Sequence, residues 1–174
     1  SAIEHEAVLN TARALGKRGW RVHVVAPERS GALDPSRVAE VVCDRTAVVS
    51  VMHANNETGA IQPVGEIARL AHEAGALVHC DAIQAAGRIP VDIAELGVDL
   101  LSLSAHKLGG PQGVGALVLG GEVPVEPLVQ GGGQERNRRG GTENVAGIAG
   151  FGAAAQEAAS FAEIGRIAAL RDAL

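Results

Sequence analysis

Residues 46–52 read TAVVSVM, an unbroken apolar run closed by His53, Asn55 and Asn56. Such runs suit strands buried on both faces of a parallel sheet. Two more follow at short intervals, 76–80 ending at Asp81 and 98–103 ending at Ser104. Between the first two, Pro63 opens a helical stretch over 64–74 that Gly75 closes. Residues 91–96 form a short helix or turn before the third. Strands alternating with helices predict an α/β chain with a mostly parallel sheet and flanking helices.

The rest of the chain fits that class. Val8, Leu9, Ala12 and Leu15 share one helical face within 4–17, and residues 21–26 alternate like a strand that Pro27 ends. Asp34-Pro35 is a helix start, with Asp as N-cap and Pro in the first position, and that helix ends near Val42. Residues 114–119 form a strand after a glycine-rich turn. A polar Gly/Arg loop spans 131–141, and an Ala-rich helix over 143–170 is broken or bent near one of its glycines. The chain length of 174 residues suits one domain.

Composition excludes several functions. The net charge of −5 offers no broad basic face, so neither nucleic acid nor an anionic membrane surface is an expected partner. Arg136, Arg138 and Arg139 form one short basic cluster, better matched to a phosphate. No run approaches the length of a membrane span, and the first residues lack a signal-peptide layout. Two cysteines, Cys43 and Cys80, are too few for a disulfide framework and read as buried thiols in a reducing cytoplasm. The six histidines show no metal-ligand spacing, so no metal is expected. The glycines of 109–115 precede a strand rather than a helix, the wrong context for a dinucleotide fingerprint.

Ligands of open α/β sheets bind at the carboxyl ends of the strands. Here those ends deliver His53, Asn55, Asn56 and Glu57, then Asp81 and Gln84, then Ser104, His106 and Lys107. Lys107 is one of only two lysines. On a surface it would be a solvated charge, but a desolvated lysine has a lowered pKa and condenses with aldehydes. Asp81 is either an N-cap for the residues after it or a partner for a pyridinium nitrogen, which a buried carboxylate keeps protonated.

Ser104-Ala105-His106-Lys107, followed by Gly109-Gly110-Pro111-Gln112-Gly113, resembles the lysine motif of fold-type I, aminotransferase class V enzymes, and more narrowly of cysteine desulfurases. Four other blocks agree in order. They are Glu4-His5-Glu6-Ala7-Val8-Leu9, Met52-His53-Ala54-Asn55-Asn56-Glu57-Thr58-Gly59, Asp81-Ala82-Ile83-Gln84, and Gly131-Gly132-Gly133-Gln134-Glu135-Arg136 leading into Arg139-Gly140-Gly141-Thr142-Glu143-Asn144.

The resemblance implies a pyridoxal 5'-phosphate (PLP) enzyme that removes sulfur from L-cysteine. Lys107 would hold the cofactor aldehyde, and His5 would stack on the ring and move protons. Asp81 would pair with the ring nitrogen, and Asn56 and Gln84 with the phenolic oxygen or its surroundings. Ser104 and His106 would bind the phosphate. Thr142 would reach the phosphate of a partner subunit in a homodimer, with Arg139 in support. Taken alone, His5 is a cap or surface residue, and either amide could satisfy loop backbone.

The resemblance also makes residues 1–174 a partial large PLP-binding domain, a central fragment without the N-terminal segment and small C-terminal domain of family members. The sulfur-accepting cysteine lies in that small domain, and a sulfur-acceptor protein would follow it. Neither Cys43 nor Cys80 lies in a matching segment, so the fragment alone is expected to be inactive. Ala105 stands where a glycine is common. A selenocysteine lyase, another class V aminotransferase-like enzyme and an inactive scaffold module are the alternatives.

Overall fold

The computed structural model describes residues 1–161 and 164–173. Four strands form one sheet in the order β1 (Val48–Met52), β2 (Leu77–Asp81), β3 (Leu100–Ser104) and β4 (Gly115–Leu119). The first three are parallel, and β4 runs antiparallel to β3. Before the sheet come α1 (Glu6–Lys17) and α2 (Pro35–Ala39), which Asp34 caps through the Ser36 N–H.

Parallel neighbours need a crossover, whereas an antiparallel pair needs only a turn. Accordingly α3 (Val64–Glu73) joins β1 to β2 and α4 (Ile93–Leu96) joins β2 to β3. A single 3-10 turn, Ala105–Leu108, starts the connection from β3 to β4, and Gly109 ends it at φ +83°. A left-handed residue there is cheap only for glycine.

The core lies between α3 and one face of the sheet. Val64, Ile67, Ala68 and Ala71 are buried on α3, the stripe an amphipathic helix presents. They pack with Val51, Val78, Cys80 and Leu101 from the strands. Burial of Ile67 alone stabilises by about 2–3 kcal/mol. Side chains alternate along a strand, so His79 and Asp81 lie on the face opposite Val78 and Cys80. Only the C-terminal half of β1 is fully buried, and Val48 is 49% exposed.

Four expectations need correction. Residues 21–26 are not a strand: among the described residues their one ladder-type bond runs from Ala2 N–H to the Val25 carbonyl. Alternation gives a segment a face, but a strand exists only when a neighbour pairs along it. The helix over 143–170 is two, α6 (Val145–Ala158) and α7 (Ile164–Asp172). The break is not at a glycine but beyond Ala158, where Phe161 has φ +50°. Cys43 is exposed, in a turn where its N–H donates to Thr46 Oγ1. Within the loop 131–141, α5 (Gln134–Asn137) is one turn whose Glu135, Arg136 and Asn137 all have positive φ.

Candidate active site

The C-terminal ends of β1, β2 and β3 stand side by side. Register pairs Met52 with Asp81, and Asp81 with Ser102. Beyond the strands, His53 N–H still donates to the Asp81 carbonyl and Ala82 N–H to the Ser102 carbonyl. Ser104 lies two residues past Ser102 and therefore on the same face. One sheet edge thus presents Asp81 beside the turn that carries Ser104, His106 and Lys107.

Asp81 is 6% exposed, and its Oδ1 accepts the Ile83 N–H at 2.9 Å. That is the capping role its position allowed. Oδ2 has no hydrogen bond among the described residues and stays available as an acceptor. Gln84 is half-buried on the following turn. Its backbone carbonyl accepts from Arg88 at 3.3 Å, and the same guanidinium reaches the Lys107 carbonyl at 3.3 Å. The Arg88 side chain thereby links two of the segments that matter most.

Lys107 is exposed on the 3-10 turn, and its amine makes no hydrogen bond or ion pair among the described residues. Its backbone, in contrast, is held. Ala105 N–H donates to Val114, and Gly110 N–H donates back to Ala105. Ala105 is fully buried, so the methyl group that replaces the usual glycine is accommodated. Helix α6 lies over this turn through small residues. A Cβ on Gly110 would sit 3.1 Å from Ala154, and one on Gly150 would sit 2.6 Å from Pro111. Ser104 Oγ and His106 Nδ1 are 2.9 Å apart.

His5 is the N-cap of α1, with Nδ1 accepting the Ala7 N–H at 3.2 Å, so Nε2 is the nitrogen left to act elsewhere. Two bonds fix its segment to β1. Buried Glu4 accepts the Met52 N–H through Oε1 at 2.8 Å, and Asn55 Nδ2 donates to the Ile3 carbonyl at 2.9 Å. Asn55 also accepts from Glu57 and Thr58 N–H groups, which makes it the loop-satisfying amide. Neighbouring Asn56 is exposed. Thr142 is exposed in the segment before α6 and makes no bond to Ser104, His106 or Lys107.

Glu4, Arg88 and His79 escape a reading of the sequence as contributors to this edge. Only His79 carries a signal there, because it stands two residues before Asp81 on the same strand. Among the described residues no group of three or more His, Cys, Asp or Glu could hold a metal ion. No helix among them is long and apolar enough to cross a membrane. Burial pushes the Cys80 thiol up to about 12, with Asp81 and Glu4 adding to the shift. An open groove of about 480 Å³ lies elsewhere, lined by Arg69, His72, Glu95 and Leu96 among others, and contains none of the strand-end residues.

The profile of the aminotransferase class-V family matches residues 1–172. The chain belongs to the aminotransferase class-V family. Among class-V relatives, a protein named cysteine desulfurase IscS from Anaeromyxobacter dehalogenans (strain 2CP-C) is 49% identical over 98% of this chain and 43% of its own length. A cysteine desulfurase of Klebsiella pneumoniae is 49% identical over 90% of this chain and 39% of its own. The chain thus spans about two fifths of the length of these relatives. Among solved structures, a NifS-like protein superposes with a TM-score of 0.90 at 42% identity, covering 95% of this chain and 46% of that one. A structure described as SspA in complex with cysteine gives 0.84 at 38% identity, over 90% and 46%. These likenesses agree with the expected α/β architecture and with the fold type the strand-end motifs implied.

Proposed function

We propose that this chain is part of the cofactor-binding large domain of a cysteine desulfurase. The observation that carries the reading is the shared sheet edge of Asp81, Ser104, His106 and Lys107. The names of the relatives, and the structure described as holding cysteine, support the substrate.

The donor set fits PLP group by group. A ring N–H needs a carboxylate acceptor, and buried Asp81 keeps Oδ2 available. A phenolic oxygen needs amide donors, which Gln84 and Asn56 carry. A phosphate needs hydroxyl and imidazole donors, which Ser104 and His106 supply side by side. An aldehyde needs an amine without a competing ion pair, and Lys107 has one. When bound, PLP supplies an electron sink for the carbanion chemistry of amino acids.

The chain's own residues then act as follows. Asp81 holds the proton on the ring nitrogen. Lys107 would hold the aldehyde carbon through its amine, and the same amine would serve to move protons at the substrate. His5 would cover the ring and offer Nε2 for proton transfer, because Nδ1 is engaged by Ala7. Thr142 completes the phosphate site of a second subunit in a homodimer. The products are L-alanine and sulfur carried as a persulfide on an enzyme cysteine, from which an acceptor protein takes it.

Cys80 is buried with its thiol pushed up to about 12, and Cys43 is exposed in the turn before β1, at the opposite end of that strand from the residues that follow it, so neither is assigned that role. The sulfur-accepting cysteine belongs outside these 174 residues. Two free thiols suit the reducing cytosol in which we place the protein.

The test is to load the chain with PLP and add L-cysteine. The expected result is a change in the visible absorbance band with no alanine released. Release of alanine, or a persulfide on Cys43 or Cys80, would overturn the assignment of the acceptor.

A further inference from the structure

The His79 imidazole is bonded on both sides by serines from different strands. Nδ1 lies 2.8 Å from Ser50 Oγ on β1, and Nε2 lies 2.8 Å from Ser102 Oγ on β3. One side chain of the middle strand therefore bridges three parallel strands. It does so one step below the functional edge: His79 precedes Asp81 by two residues, and Ser102 precedes Ser104 by two.

We propose that His79 is a positioning residue for the PLP site, which as a neutral imidazole ties β2 to β3 so that Asp81 and Ser104 meet the two ends of one rigid cofactor together. This rests on the cofactor reading above. The distance between ring nitrogen and phosphate is fixed by the cofactor, so the strands that bear the two anchors must not slide relative to one another. Backbone pairing sets the register, and the imidazole adds a side-chain tie at the place where register matters.

The partners suit a neutral ring. One serine hydroxyl accepts from the protonated ring nitrogen and the other donates to the bare one, so both nitrogens are satisfied with a single ring proton. The charged groups around His79 are Asp81 on its own strand, Glu4 from the N-terminal segment and the Ser1 ammonium, which pairs with Glu4 and donates to the Ser50 carbonyl, while β1 and β3 present serines. Both carboxylates favour the charged ring. Burial opposes them and dominates, holding His79 below its ordinary value. A neutral His79 leaves the Asp81 charge uncancelled and so available to a pyridinium.

A purely structural tie would make the two serines equivalent, since each loses one hydrogen bond when truncated. A positioning tie would not, because β3 carries the phosphate anchor and β1 carries neither anchor. The experiment measures PLP affinity by absorbance titration for the parent chain, His79→Phe, Ser102→Ala and Ser50→Ala, with urea unfolding of each. The ring nitrogens of His79 are followed in parallel by ¹⁵N NMR against pH.

Ser102→Ala and His79→Phe are expected to bind PLP roughly tenfold more weakly, the worth of one well-placed hydrogen bond. Ser50→Ala is expected to lose comparable stability but little affinity. The His79 ring is expected to keep one bare nitrogen at mildly acidic pH. If His79→Phe does not fold, Ser102→Ala decides. Affinity of Ser102→Ala equal to the parent's, equal affinity losses in both serine variants, or a doubly protonated His79 ring would overturn the proposal. A parent chain that takes up no PLP on Lys107 overturns the cofactor reading itself, and this inference with it.

Discussion

The Ser104 hydroxyl stands 2.9 Å from His106 Nδ1, across one residue of the turn that leads to Lys107. The pair groups two donors for a dianion next to the amine that would take its aldehyde. Ser104→Ala should weaken PLP binding by about 1.5–3 kcal/mol, the range for a hydrogen bond to a charged group. Pyridoxal, which lacks the phosphate, should bind the variant and the parent alike. Parallel absorbance titrations with the two ligands separate a lost phosphate contact from a distorted site.

Glu4 predicts a graded series. Its Oε1 accepts the Met52 N–H, and both residues are buried. Glu4→Gln keeps an acceptor for the Met52 N–H but loses the charge that pairs with the Ser1 ammonium, so it should cost less than Glu4→Ala. Glu4→Ala leaves a buried backbone donor unsatisfied and should cost about 1–3 kcal/mol in urea unfolding. The same variant frees the segment that leads to His5.

Gly147→Ala tests how α6 holds the lysine turn. In an open helix this change stabilises by about 0.5–1 kcal/mol. Here the new Cβ would lie 2.5 Å from Val114 Cγ2 and from Asn144 Nδ2. Overpacking of that kind costs about 1–3 kcal/mol, so the net effect should be destabilising. A rise in melting temperature would show that α6 sits more loosely than its contacts imply.

Stability should be bounded on both sides by buried groups. Burial raises the Cys80 thiol from 9.0 to about 12, so on raising the pH the unfolded chain ionises first. The folded state then holds more protons, and stability is lost from about pH 9 toward 12. Burial lowers His79 and His53 below 6.5, so on lowering the pH the unfolded chain takes protons first and stability is lost below 6.5. Urea midpoints against pH should show a plateau between these limits. Iodoacetamide should label exposed Cys43 in the native chain, its thiol lowered chiefly by the backbone hydrogen bond at Arg45, and Cys80 only on unfolding.

The strand ends were legible in the sequence because a buried strand is apolar and stops abruptly at a polar residue. Asp81 and Lys107 stand out on that basis without any family likeness. Residues 21–26 misled for the opposite reason, since alternation records a face and not the presence of a neighbour. The break lies after Ala158 rather than at a glycine, because Gly147 and Gly150 of α6 serve close packing, not chain reversal. His79 carried half a signal: its spacing to Asp81 fixes a shared face, but only the folded register brings Ser50 and Ser102 to its two nitrogens. Glu4 and Arg88 carried none, because the contacts that tie them to this edge, Glu4 to the Met52 N–H and Arg88 to the Lys107 carbonyl, are to backbone atoms far away in the chain.

Lys107 remains the residue on which the functional reading depends, and it has a direct test. The chain is incubated with PLP, reduced with borohydride and digested, and the adduct is located by mass spectrometry. The expected result is a pyridoxyl group on Lys107, absent from Lys107→Ala together with the visible band. An adduct on Lys17, or a band that Lys107→Ala leaves unchanged, would contradict the assignment.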